Sequence, residues 1–134
     1  MGDALLRVLL AEDEAIIALF FREELEQWGC KVTWAPNGER ALSEAQTGAV
    51  FDVLVTDLKM SGLRGEDLIR QLRETRPLLP VVVVTGSPPT GGAASLSREG
   101  EGPLTLLIKP TLTSDILRAF TSMGLLGASP SLSL

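Results

Sequence analysis

The residues able to do chemistry in this chain fall in four places. Glu12-Asp13-Glu14 follows an apolar run that ends at Ala11, and Asp57 follows Val53–Thr56. Thr85 closes the run Val81–Thr85, and Lys109-Pro110 follows Leu104–Ile108. Histidine is absent and Cys30 is the single cysteine. Ser-His-Asp and Cys-His nucleophile systems, histidine-bearing metal sites and a phosphohistidine donor role are therefore excluded. Carboxylates, a hydroxyl, a lysine and a hard metal ion are what remains.

Carboxylates gathered at one rim repel each other unless a cation sits among them, and an all-oxygen cluster suits Mg²⁺ or Mn²⁺. Mg²⁺ takes few protein ligands and keeps positions open for phosphoryl oxygens. In that setting Asp57 is the nucleophile that attacks phosphorus to give an acyl phosphate. Lys109 pairs with one phosphoryl oxygen as a point charge, and Thr85 hydrogen-bonds another. Phosphoryl transfer needs mainly positioning and charge neutralisation, which this set supplies.

The elements that must position these groups are legible as five short apolar runs about twenty-five residues apart. They are Leu6–Ala11, Val32–Ala35, Val53–Thr56, Val81–Thr85 and Leu104–Ile108. Several are continuous hydrophobic runs, as strands are when both sheet faces are covered. Helix-period segments separate them, and such alternation implies right-handed crossovers and a parallel sheet. Ligands bind beyond the carboxyl ends of the strands in such a sheet, where the strand order reverses. Under the common order 2-1-3-4-5, strands one and three are neighbours there, which sets Asp13 beside Asp57.

The first helix carries Ile17, Phe20, Phe21, Leu25 and Trp28 on one face, with Gly29 placed to end it in a left-handed cap. The second starts near Asn37-Gly38 and turns Ala41, Leu42 and Ala45 inward. The third carries Leu68, Ile69 and Leu72 and ends before Pro77. The last spans about Ser114 to Met123, opened by Thr113, Ser114 and Asp115. The fourth is weakened. Pro88, Pro89, Gly91, Gly92, Gly100, Gly102 and Pro103 leave only Ala93–Glu99 as a helical stretch. One domain over residues 1–127 and a flexible tail over 128–134 are expected.

The net charge of −5 and the lack of a Lys/Arg stripe oppose direct nucleic-acid binding. The apolar runs are too short for membrane insertion, no signal peptide is visible, and a lone cysteine fits a reducing, cytoplasmic setting. Taken singly, each candidate residue has an ordinary explanation: acidic first-turn residues at 12–14, a cap at Asp57, a strand end at Thr85, a loop entry at Lys109-Pro110. Their joint placement at four strand ends points to phosphoryl chemistry. Trp28 and Trp34 read as packing or surface aromatics, Cys30 as a small buried or edge residue, and Gly62 and Gly65 as servants of the turn after Asp57.

From about Leu6 to Ala119 the chain resembles the receiver domains of two-component response regulators. The resemblance is carried by "VLLAEDE" at 8–14, "DVLVTDLKMSGLRGEDLIRQLR" at 52–73, "VVVVTG" at 81–86 and "LLIKP" at 106–110. It implies a flavodoxin-like (βα)5 doubly wound α/β fold. It also implies a phosphoacceptor role in a two-component phosphorelay, with Mg²⁺ as cofactor. By the resemblance, Glu12 and Asp13 are the acid pair that organises Mg²⁺, with Asp13 a direct ligand. Asp57 is the phosphoacceptor and also on the metal, and the Lys59 backbone carbonyl completes the protein ligands. Thr85 is the switch hydroxyl, Lys109 the phosphoryl-binding lysine, and the Lys109–Pro110 bond is expected to be cis. The expected partners are a sensor histidine kinase or phosphotransfer protein as donor and a downstream output protein or domain. Such a module catalyses its own phosphorylation and dephosphorylation but is a signalling receiver, not a metabolic enzyme.

Three positions depart from the family pattern. Leu106 stands where an aromatic switch residue is usual, Ser61 stands where proline is common, and the fourth helix is broken up. A different output route through a flexible segment spanning Ser87–Gly102 is the resulting expectation, and Lys59 is placed to alter phosphoryl lifetime. Two rival readings are a pseudo-receiver that signals without phosphate and a Mg²⁺-dependent phosphohydrolase. The first has no use for the full set Glu12, Asp13, Asp57, Thr85 and Lys109, and the second lacks its D-x-D motif because Lys59 fills the second position.

Overall fold

The computed structural model describes residues 5–126, so the tail expected at 128–134 lies outside the described residues. The strands are β1 (Leu6–Ala11), β2 (Cys30–Ala35), β3 (Val53–Thr56), β4 (Val81–Thr85) and β5 (Leu104–Ile108). All pair in parallel, in the order β2-β1-β3-β4-β5. The helices are α1 (Ala15–Gln27), α2 (Gly38–Gln46), α3 (Gly65–Thr75) and α4 (Thr113–Ser122). This is the flavodoxin-like doubly wound fold that the strand–helix alternation predicts. Among the described residues, no helix is long and apolar enough to cross a membrane.

Alternation of side chains along each strand divides the core into two layers. Val8, Leu10, Val53, Val55, Val82 and Val84 face α1 and α4, meeting Ala18, Phe21, Leu25, Ile116, Leu117 and Phe120. Leu9, Ala11, Leu54, Val81 and Val83 face α2 and α3, meeting Ala41, Ala45, Leu68, Ile69 and Leu72. Both faces of the sheet are thus covered, which explains why β3 and β4 are apolar along their length.

Two expectations require correction. On α1, the residues turned inward are Ala18, Phe21 and Leu25, whereas Phe20 and Trp28 are 53% and 41% exposed. Apolar residues all around the first turns of this helix (Ile16, Ile17, Leu19, Phe20, Phe21) leave its buried face undetermined by pattern. The second concerns the stretch expected as a helix over Ala93–Glu99. It is instead a single 3-10 segment, Gly92–Leu96, that ends at an extended Ser97.

The residues that follow it are held from α3. Arg73, whose side chain is 1% exposed, donates to the carbonyls of Leu79, Gly102 and Pro103 and to Ser97 Oγ at 2.9 Å, and pairs with Glu101 at 3.4 Å. The bond to Oγ holds Ser97, the extended residue at which the 3-10 segment stops. Gly102 allows the close approach the Arg73 bonds need, because a Cβ there would collide with the backbone of Leu78. Burial lowers the Arg73 pKa from the ordinary arginine value, and Glu101 opposes that shift. The second half of the segment Ser87–Gly102 is therefore stapled to the body of the domain.

Candidate functional site

Each candidate side chain is carried to the same rim by an extension of the strand ladder. Glu12 follows β1, and its N–H donates to the Ala35 carbonyl at 3.1 Å. Asp57 follows β3, and its N–H donates to the Ala11 carbonyl at 3.1 Å. Lys109 follows β5, and its N–H donates to the Thr85 carbonyl at 2.9 Å. Because β1 and β3 are direct neighbours with Ala11 opposite Thr56, the acidic loop and Asp57 are side by side.

Ligand oxygens of Glu12, Asp13 and Asp57 lie within 4.8 Å of one another. Glu12 and Asp57 are buried and Asp13 is exposed. Buried carboxylates so close are stable as anions only with a compensating cation. Lys109 provides one: Nζ lies 2.9 Å from Asp57 Oδ2, 3.2 Å from Glu12 Oε1 and 3.7 Å from Glu14 Oε1. Burial works against the Lys109 charge, but the hydrogen bond to Asp57 and the charges of Glu12 and Asp57 outweigh it, and its pKa is raised. For Glu12, burial dominates and raises the carboxyl pKa, despite the Glu14 N–H that donates to it and the charge of Lys109.

Asp57 Oδ1 accepts from the N–H groups of Leu58 at 2.6 Å and Lys59 at 3.2 Å, which leaves Oδ2 turned toward Lys109. The Lys59 side chain is exposed. Thr85 is fully buried, and its Oγ1 accepts from the Ser87 N–H at 3.2 Å. Leu106 is half-buried in the layer that contains α2 and α3. The Lys109–Pro110 bond is cis, and Pro110 is exposed.

Three supporting residues escaped the sequence reading or were assigned a blander role. The Trp34 indole N–H donates to the Glu12 carbonyl at 2.8 Å. Glu39, on α2, accepts from the Leu63 N–H at 2.9 Å and so holds the loop that follows Asp57. At Gly65, a Cβ would collide with the Asp57 carbonyl and crowd Leu58, so the start of α3 can press directly on the backbone of the candidate nucleophile. Only the last carried a signal in sequence, as a glycine just ahead of an apolar helical stripe.

The donor set is made of hard oxygens in a compact cluster, which fits Mg²⁺. Comparison with known proteins points the same way. The response regulator receiver domain family matches residues 8–119. The receiver protein CpdR of Brucella abortus is 31% identical over 119 residues, covering 87% of this chain and 95% of CpdR. The transcriptional regulatory protein QseB of Escherichia coli O157:H7 is 32% identical over 80 residues, and the matched part is only 36% of its length. A response regulator receiver protein from Sinorhizobium medicae shares the fold with a TM-score of 0.79 at 29% identity, covering 89% of this chain and 94% of that one. The chain belongs to the response regulator receiver domain family of two-component systems, and its pocket of Glu12, Asp13 and Asp57 fits the phosphoacceptor site of that family.

Proposed function

We propose that this chain is a phosphoacceptor switch that takes a phosphoryl group on Asp57 from a histidine kinase or phosphotransfer protein in the cytoplasm. The observation that carries the reading is the meeting of Glu12, Asp13 and Asp57 within 4.8 Å, with Lys109 on Asp57 at 2.9 Å. Asp13, Asp57 and the Lys59 carbonyl would hold a Mg²⁺ ion, with Glu12 and Asp13 as the acid pair that organises it, and the bound ion would supply further neutralisation of the phosphoryl oxygens. The chain's own residues do the rest.

An Asp57 carboxylate oxygen forms the new bond to phosphorus as the bond from phosphorus to the donor imidazole nitrogen breaks. The electron pair of that bond stays on the imidazole. Leu58 and Lys59 N–H groups hold Oδ1, so the carboxylate is fixed before the donor arrives. Lys109 exchanges its contact with the carboxylate for one with a phosphoryl oxygen, and Thr85 moves its hydroxyl from the Ser87 N–H to another. That motion, felt by Leu106 and by the loop at Pro110, is the signal passed to a downstream protein or domain. Hydrolysis returns the switch, and Lys59, exposed beside the pocket, sets its rate; Lys59→Ala changes the decay of the acyl phosphate.

A donor protein also needs a surface to rest on. Ile16, Phe20 and Pro110 form an exposed apolar face that runs up to Lys109 and thus to the pocket mouth. Incubation with acetyl phosphate and Mg²⁺ tests the proposal. One acyl phosphate per chain is expected; no labelling indicates a pseudo-receiver, and continued turnover of the donor indicates a phosphohydrolase.

A further inference from the structure

Trp34 is the last residue but one of β2, at the edge of the sheet, where a half-buried aromatic usually serves only packing. Its ring packs against the core layer that contains α1. Its indole N–H, however, is spent on one atom, the Glu12 carbonyl, at 2.8 Å. The next residue of β2, Ala35, accepts from the Glu12 N–H at 3.1 Å. Adjacent residues of one strand thus grip both backbone polar groups of Glu12.

The consequence falls on Asp13. A carbonyl and the N–H that follows it belong to one rigid plane, so fixing the Glu12 carbonyl fixes the plane that leads into Asp13. Asp13 is exposed, and no side-chain hydrogen bond among the described residues holds it. Its direction is therefore set by the backbone ahead of it. We propose that Trp34 is a positioning residue for the metal site: its indole N–H locks the Glu12–Asp13 peptide plane and so aims Asp13 at the ion it shares with Asp57. The inference rests on the metal-dependent reading above and adds to it a residue outside the acidic cluster.

The chain has two tryptophans, and Trp28 lies at the opposite end of α1 from the acidic loop, so Trp28→Phe leaves Trp34 as sole reporter. In that variant the Trp34 emission is expected to change on Mg²⁺ addition, with the half-saturation that calorimetry gives for Mg²⁺. Adding Asp13→Asn should abolish the response, which ties the emission change to the metal site. Trp34→Phe keeps an aromatic ring but removes the donor, and should weaken Mg²⁺ about three- to tenfold, the worth of one hydrogen bond. A folded Trp34→Phe protein that binds Mg²⁺ as tightly as the parent overturns the inference. Should that variant fail to fold, a Trp34 emission unmoved by saturating Mg²⁺ in the Trp28→Phe protein overturns it instead. A parent chain that shows no Mg²⁺ binding by calorimetry defeats the metal reading itself, which is a separate and recognisable outcome.

Discussion

Lys109 Nζ and Asp57 Oδ2 are 2.9 Å apart, although strands β3 and β5 that carry them are separated in the sheet by β4. The long lysine side chain crosses the end of β4 to reach the carboxylate, and the same Nζ also touches Glu12, beyond Asp57 at the end of β1, at 3.2 Å. A single cation therefore serves several acids, and the pocket is short of positive charge in the absence of metal.

The burial of Glu12 has a pH signature. Burial raises its pKa above the ordinary value of 4.5, so the unfolded chain gives up this proton at lower pH than the folded chain does. The metal-free parent should lose stability through Glu12 as pH rises from about 4.5 through the folded pKa. Glu12→Gln cannot ionise and escapes this loss. Thermal unfolding of both proteins, with Mg²⁺ chelated, should show the variant gaining on the parent as pH rises from 4 toward 7, by roughly a few degrees. A difference that stays constant across that range would contradict the account.

Arg73 is the second place where a buried charge organises structure. Arg73→Ala leaves the carbonyls of Leu79 and Gly102 without their donor, takes one of two donors from the Pro103 carbonyl, which keeps the Val81 N–H, and removes the cation facing Glu101. The expected cost is about 3 kcal/mol or more, read from urea unfolding. Amide exchange should also rise across Ser97–Gly102 well before global unfolding. Unchanged protection there would show that the staple is not what holds the segment.

Gly65 connects helix packing to the proposed nucleophile. Gly65→Ala places a methyl group against the Asp57 carbonyl and Leu58, and the start of α3 or the Asp57 backbone must shift. A loss of about 1–3 kcal/mol in stability is expected from such overpacking. Labelling by acetyl phosphate should slow as well, because the acceptor moves relative to Lys109. Stability lost with an unchanged labelling rate would mean that α3 alone absorbs the strain.

Much of this architecture is readable in the sequence because it depends on local signals. The strand ends at Ala11, Thr56, Thr85 and Ile108 follow from short apolar runs, and the strand order then brings Glu12, Asp13, Asp57 and Lys109 together. What escaped reading depends on long-range contacts. Phe20 and Phe21 are adjacent and equally apolar, and only the packing of α1 on the sheet decides that Phe21 is inside. The 3-10 segment Gly92–Leu96 stops at a Ser97 held by Arg73, twenty-four residues away in the chain, a residue whose type alone gives no hint of burial. Trp34 looked like a packing residue because its ring is one; the partner of its N–H lies on another strand's loop, twenty-two residues away.

The most direct test of the central claim is intact-mass analysis after treatment with acetyl phosphate and Mg²⁺, run on the parent and on Asp57→Asn. The account predicts a gain of one phosphoryl group per parent chain, lost when Mg²⁺ is chelated beforehand, and none on the variant. Equal uptake by the Asp57→Asn protein, or uptake by the parent that is indifferent to Mg²⁺, would contradict it.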